Sequence, residues 1–331
     1  MNVVANINQI PLVQNPLFLV GLFMAGSLLM IWRLEILTQR GVEGTVLGTL
    51  VMPYCSGIGN LVFAILAHRS PDLNATVVVE NSIVNNVTNM TLLIGLPAIL
   101  WGATNARPGK SNRKKKEVAA QRLNKLSIFL TLAAVLFFTG ISWALGQDGQ
   151  FDRNDGIVLI ALFLFWQCFH VYDVLKTNVR EQRPLHWLLA LDFLLLLLGG
   201  FDVYYSIDRL VVWIGKQDHS SLSQHAGWLS GWLMVLPNAL LALYYGWRRK
   251  PEVIYTSQIG DGHICIPLCL GIAAVLSPLQ TPAFFNSAIL LLLASLAIHA
   301  GVVGFFGQLP RFVGIFLTIL YAIFVVKGFG S

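Results

Sequence analysis

The sequence predicts an all-α integral membrane protein whose ten transmembrane helices form two inverted five-helix repeats. Three observations carry that expectation. The 331 residues are 56% hydrophobic and only 11% charged, where a soluble domain carries about 25% charged residues. Apolar runs recur along the whole chain at membrane-spanning length, roughly 20 residues per helix. One polar stripe inside such a run returns 176 residues further on.

The first stripe, Val77 to Gly95, reads VVVENSIVNNVTNMTLLIG, and the second, Val253 to Gly271, reads VIYTSQIGDGHICIPLCLG. In the first, Asn81, Asn85 and Asn89 recur every four residues and so share one helical face, with Glu80, Asn86 and Thr88 close to it. Superposing Gly271 on Gly95 puts Ser257 on Asn81, Asp261 on Asn85 and Cys265 on Asn89. Polar groups at that depth are costly and face a cavity, a pathway or a partner helix. Two matched stripes describe one site built from two halves of a duplicated chain.

In chain order, the spans are read at residues 16–37, 45–67, 74–104, 126–146, 156–177, 187–214, 226–247, 252–277, 284–307 and 311–328. The stretch before the first, MNVVANINQIPLVQNP, lacks the basic region of a signal peptide, so the first span is read as retained. The polar third and eighth spans are the ones expected to be broken. The sixth is longer than a straight crossing needs and must tilt or contain an interfacial turn. The repeats divide as 1–180, which includes a basic loop over 105–125, and 181–331. Because five is odd, the second half enters the membrane with the opposite polarity.

Orientation follows from loop charge. ARPGKSNRKKKEVAAQRLNK, KTNVREQRP and WRRKPE, together with Arg40 and Arg311, fall in alternate connections and belong on the cytoplasmic side. GQDGQFDRND and KQDHSSLSQH have fewer cations relative to acids and lie opposite, which puts both termini on the non-cytoplasmic side. The net charge of +6 is concentrated in these short loops, so it reports topology and implies no nucleic-acid partner. No GxxxxGK[ST] loop occurs, which argues against drive by ATP. Cys55, Cys168, Cys265 and Cys269 lie in apolar segments without paired metal-ligand spacing and are read as buried thiols. Asn86-Val87-Thr88 and Asn89-Met90-Thr91 fit the glycosylation pattern but fall inside a span; Asn74-Ala75-Thr76 also fits it.

The halves also match outside the stripes. Span two ends in GIGNLVFAILAHRSPD and span seven in VLPNALLALYYGWRRKPE, each with an asparagine, Asn60 and Asn238, ahead of a Pro-acid pair. At these residues the chain resembles the cation/calcium exchanger superfamily, the sodium/calcium exchanger membrane region. That family pairs a Gly/Pro-rich helix with a helix carrying a Gly-Asn-x-x-Gly-Ser-Asn-x-x-Asn pattern. Asn81, Asn86 and Asn89 match its three asparagines, Gly95 and Gly271 the glycine that follows, and Gly260 its second-repeat glycine, with Asp261 at the serine position. The resemblance covers roughly residues 45–104 and 225–279 and implies a secondary antiporter working by alternating access, with spans one and six moving against spans two, three, seven and eight. The family's paired membrane glutamates fall at Asn60 and Asn238 here.

Glu80 and Asp261 are the expected cation ligands, with Asn60, Asn81, Asn85, Asn86, Asn89, Asn238, Ser257 and His263 as further ion-binding or transport residues. The asparagines supply either carbonyl oxygens to an ion or hydrogen bonds between helices. His263 is either a proton relay beside Asp261 or a bundle histidine, while His170 and His299 are read as structural. Calcium takes roughly six to eight oxygens with carboxylates among them, so amides with one or two carboxylates suit a monovalent cation, a proton or a weakly bound divalent ion. The expected ligand is thus a transported inorganic cation (calcium, sodium or a proton) and no cofactor, in a protein of the lipid bilayer, read from its short loops as a prokaryotic inner membrane. The oligomeric state stays open. Two alternatives belong to other classes: a transport-inactive ion sensor or scaffold, and an intramembrane metal-dependent enzyme using His263, Asp261 and Glu80.

Overall fold

A computed structural model describes residues 15–39, 52–68, 73, 75–102, 114–178, 188–216, 224–249, 251–305 and 309–329. Lipid offers no hydrogen-bond partner, so each apolar run pairs its backbone internally and becomes a helix. In order these are α1 (Pro16–Gln39), α2 (Met52–Ala67), α3 (Val77–Met90), α4 (Leu92–Trp101), α5 (Lys114–Leu145), α6 (Arg153–Asn178), α7 (Leu188–Gly215), α8 (Ala226–Trp247), α9 (Pro251–His263), α10 (Leu270–Leu276), α11 (Phe285–Phe305) and α12 (Arg311–Gly328). α3 with α4 forms the third span, and α9 with α10, joined by π-helical Ile264–Cys269, forms the eighth. The described helices therefore group into the ten expected spans, of which seven runs are by themselves long and apolar enough to cross a membrane. Phe165, Phe305 and Val326 are among the apolar side chains left exposed on the outside, where lipid rather than water meets them.

The third and eighth spans form the core of the bundle. Of their most apolar windows 78% and 83% of residues are buried, against 28% for the last span. Both are broken as expected. α3 stops at Thr91, whose φ of −112° and ψ of −71° depart from helical values, and the Gly95 N–H returns to its carbonyl at 2.8 Å. The eighth span widens into a π-helical turn around Pro267, which has no N–H to give the helix. In the 176-residue superposition, Pro267 falls on Thr91, so the two breaks are equivalent.

Packing repeats the same relation. α8 lies along α3, and α2 lies along α9 and the π turn; α12 crosses α4, and α6 crosses α10. The remaining large contacts, α1 with α7 and α5 with α11, each join equivalent spans of the two halves. The crossings agree in detail. A Cβ on Gly95 would stand 2.9 Å from the Gly314 carbonyl oxygen, and one on Gly156 would stand 2.6 Å from that of Gly271. Glycine at these points lets the backbones touch. Gly26 and Gly199 do the same where α1 crosses α7, with the Asp202 carboxylate against Gly26.

The connections sort onto two faces. β1 (Gln150–Phe151) pairs antiparallel with β2 (Leu279–Gln280), Gln150 opposite Gln280 and Phe151 opposite Leu279. Gln280 N–H also donates to the Ala75 carbonyl at 3.3 Å and Thr281 N–H to that of Gly149 at 2.9 Å. The 2–3, 4–5 and 8–9 connections thus meet on one face. His225, from the 6–7 connection, stacks on Phe329 at the end of α12 with centroids 4.4 Å apart, as the same parity requires. On the other face a Cβ on Gly102 would lie 3.7 Å from Arg311 Nε, bringing the 3–4 and 9–10 connections together.

Some expectations need correction. The basic segment over 105–125 is a loop only in part: from Lys114 onward it is the first third of α5, because KKKEVAAQRLNKL consists largely of strong helix formers. Its remainder, 105–113, lies outside the described residues, as does the 180/181 division of the repeats. Of the two alternatives for the sixth span the interfacial turn is not taken, since Leu188–Gly215 is one unbroken helix of 28 residues. Cys168 is exposed on α6, whereas Cys265 and Cys269 are buried free thiols; the side chain of Cys55 lies outside the described set. Asn86 and Asn89 are wholly buried and out of reach of glycosylation, and Asn74 is not among the described residues.

Candidate ion site

The four-residue period of α3 stacks Asn81, Asn85 and Asn89 toward the bundle axis, where each is at most 1% exposed. α9 runs against them and brings Asp261, 0% exposed, to the level of Asn85 and Asn89. A carboxylate only accepts hydrogen bonds, so Asn89 presents Nδ2 to it: Nδ2 donates to Asp261 Oδ2 at 2.8 Å and to Asn85 Oδ1 at 2.9 Å. Asn85 Nδ2 passes the chain on to Asn60 Oδ1 of α2 at 3.2 Å. Cys265 sits one turn beyond Asp261, its Sγ 3.8 Å from Asp261 Oδ2 and 3.7 Å from Asn85 Oδ1. Asn238 of α8 approaches the same carboxylate. The placement is symmetric: Asn60 lies by Asn85 within the first half as Asn238 lies by Asp261 within the second.

The network is not closed upon itself. Asp261 Oδ1, Asn89 Oδ1 and both carboxamide atoms of Asn238 are buried without a hydrogen-bond partner. Such orphans are expensive in a protein interior. Oδ1 points at α2, where a Cβ on Gly57 would stand 3.2 Å away; the glycine leaves the carboxylate a space that any other residue would fill. Ser257 Oγ and Gln258 Oε1, on the same helix, are also buried without partners, and Gln258 Nε2 reaches the Asn238 carbonyl at 3.4 Å. The arrangement offers acceptors to a cation, with one carboxylate among them.

Other predicted site residues are placed elsewhere. Asn81 Nδ2 donates to Ser230 Oγ at 3.1 Å and so ties α3 to α8. Asn86 Nδ2 turns back to the Ser82 carbonyl at 2.7 Å, leaving its Oδ1 beside Gly262. Glu80 lies nine residues before Asn89, about 13 Å along the helix at 1.5 Å per residue. It accepts from Thr76 Oγ1 at 2.8 Å and packs against Gly227, so it does not join Asp261. His263 is stacked on Trp166 of α6 with centroids 5.5 Å apart and meets the edge of Phe138 at 6.0 Å. These rings belong to α5 and α6. Among the described residues no three His, Cys, Asp or Glu side chains are grouped to hold a metal.

Two contributors were missed or undervalued. Gln258 lies on the polar run of α9, and its helical position next to Ser257 was the available signal. His299 of α11 was read as structural, and its role is specific: Nε2 donates to the Met90 carbonyl at 2.7 Å, at the break in the third span. A carbonyl only accepts, so the proton is on Nε2, and Nδ1 meets the Tyr255 hydroxyl at 3.3 Å. The long sequence separation of Met90, Tyr255 and His299 left no local signal.

A family model described as sodium/calcium exchanger protein matches residues 15–172. Solved structures of the sodium-calcium exchanger NCX_Mj share the fold. The one soaked with 2.5 mM Na+ and 1 mM Sr2+ has a TM-score of 0.68 and 20% identity, covering 96% of this chain and 99% of that one. The one soaked with 100 mM Na+ and 10 mM Sr2+ gives 0.67 and 19%, over 95% and 98% of the two chains. The one soaked with zero Na+ and Ca2+ gives 0.64 and 19%, over 93% and 98%. No curated protein matches the chain. The family match covers residues 15–172, the first five spans, and the chain as a whole shares the fold of these exchanger structures.

Proposed function

We propose that the protein is a secondary active antiporter that moves a cation across the membrane against sodium or protons by alternating access. One observation carries the reading. A fully buried carboxylate, Asp261, keeps one oxygen unpartnered where two equivalent broken spans meet. A structural carboxylate at that depth would be fully hydrogen-bonded. The cation is the transported substrate, held by Asp261 with amide oxygens from the asparagines around it, and no cofactor takes part. α1 and α7, the pair that moves in this reading, pack on each other and meet the core at α2 and, from α1, at α8. The halves divide near residue 180, and the basic connections face the cytoplasm of a prokaryotic inner membrane, which puts both termini outside.

The experiment is ion flux in proteoliposomes under imposed sodium and pH gradients, with Asp261→Asn and Glu80→Gln assayed alongside. Gradient-driven exchange should be abolished by Asp261→Asn, which keeps the shape and removes the charge. Glu80→Gln should retain most of it, because Glu80 stands apart from the network. Absence of flux for every cation, in protein shown to be folded, would overturn the antiporter reading in favour of an ion sensor or scaffold.

A further inference from the structure

Resting on the antiporter reading, the charge count at the site narrows its substrate. Asp261 is the sole acid in the network formed by Asn60, Asn85, Asn89, Cys265 and Asn238. Glu80 is held by Thr76 and Gly227, and His263 faces Trp166 and Phe138, so neither adds charge there. The matching positions of the two halves, Asn60 and Asn238, carry amides, and so does Asn85. An amide oxygen is a dipole that ligates without neutralising.

We infer that the site holds one monovalent cation on Asp261 Oδ1, facing Gly57, and discriminates against calcium. A single charge on the ion cancels the carboxylate and leaves a neutral, buried complex. A divalent ion would leave one positive charge uncompensated at a point with no solvent exposure, where an unpaired charge is strongly penalised. Calcium also draws its affinity from several carboxylates within a shell of about six to eight oxygens, and this network supplies one. The orphaned acceptors point the same way. Asp261 Oδ1 and Asn89 Oδ1, on side chains joined through their other atoms by a 2.8 Å hydrogen bond, are both buried acceptors without a partner.

The test uses the full chain purified in detergent and reconstituted. Thermal stabilisation is titrated with lithium, sodium and potassium chlorides against calcium and strontium chlorides, with choline chloride matching ionic strength. Flux of the same ions is measured in vesicles. At least one monovalent cation should stabilise saturably and be transported, with calcium weaker by about a hundredfold or more, the size expected where one buried charge is left unpaired. Asn60→Glu with Asn238→Glu adds two carboxylates and should move the calcium-to-monovalent preference by at least about tenfold toward calcium. Asp261→Asn, folded by size-exclusion chromatography, should lose the monovalent response. Saturable binding and exchange of calcium by the unsubstituted chain, with monovalent salts acting no differently from choline, would overturn the inference and leave the antiporter reading standing. A folded chain that neither binds nor moves any of these ions would overturn both.

Discussion

Asn89 is the residue on which the two halves meet, because one amide nitrogen serves both Asp261 of the second stripe and Asn85 of the first. Asn89→Leu keeps most of the volume and removes both bonds. Interhelical hydrogen bonds in membrane bundles contribute about 0.6–2 kcal/mol, and this one also supports a buried carboxylate. The variant should unfold at a lower temperature in detergent, with an ion-dependent stabilisation weakened well beyond that loss; an unchanged ion response would place the site elsewhere. Much of this was legible. The asparagine stripe follows from the helical period, and the place of Asp261 opposite it follows from superposing the two repeats. Glu80 is paired with Asp261 as the other acid of the two matched spans, and His263 by its nearness in sequence; helical geometry separates both from it. Residues two apart on a helix do not face each other, so His263 leaves the face of Asp261 and meets Trp166 instead. Glu80 is several turns away along α3. The partners of His299 come from three separate spans, and nothing local in the chain announces them.

At the scale of elements, polarity marked the third and eighth spans as broken, while the position of the break in α3 came only with the structure. Thr91 bonds back to the Val87 carbonyl through its hydroxyl, and His299 adds a bond from another span to the Met90 carbonyl at the same interruption. His299→Phe removes that donor while keeping a planar ring. It should cost about 1–2 kcal/mol, by the measure of buried hydrogen bonds, read as a lowered denaturation midpoint. No change would show that the break is set by α3 and α4 alone. The glycine crossings allow a sharper comparison. Gly95→Ala and Gly271→Ala each force a Cβ against a backbone oxygen or neighbouring side chain, whereas a Cβ on Gly301 meets nothing within 4 Å. The first two should destabilise by about 1–3 kcal/mol each, and by similar amounts because they are equivalent. Gly301→Ala should be neutral or slightly stabilising, since alanine favours a helix over glycine. The extension of α5 into the basic segment was misjudged for a reason of the same kind. Charge argued for a loop, but lysine, glutamate, alanine and leucine are good helix formers outside the membrane as well as within it.

For the whole molecule, composition and the apolar runs supplied the class and the number of spans, because a bilayer constrains segment length more tightly than water does; loop charge supplies an expected sidedness. Which spans touch was beyond their reach, since apolar faces are alike to one another and the choice is made by small residues and buried amides. The packing now provides an internal check on topology that is independent of charge. Ala75, Gly149, Gln280 and Thr281 are joined by hydrogen bonds, so the connections that carry them occupy one face of the membrane. Residues following α8 belong to the other. In a variant with Cys168→Ser, which removes the exposed native thiol, Gln147→Cys and Thr281→Cys should react with a membrane-impermeant maleimide in intact cells. Arg248→Cys, exposed at the end of α8, should react only after permeabilisation. The reverse pattern would show that the chain is inserted the other way up despite its basic loops, with the fold unaltered. Reaction of Gln147→Cys and Thr281→Cys from opposite sides would separate connections that the β1–β2 pairing joins, and would overturn the ten-span arrangement itself.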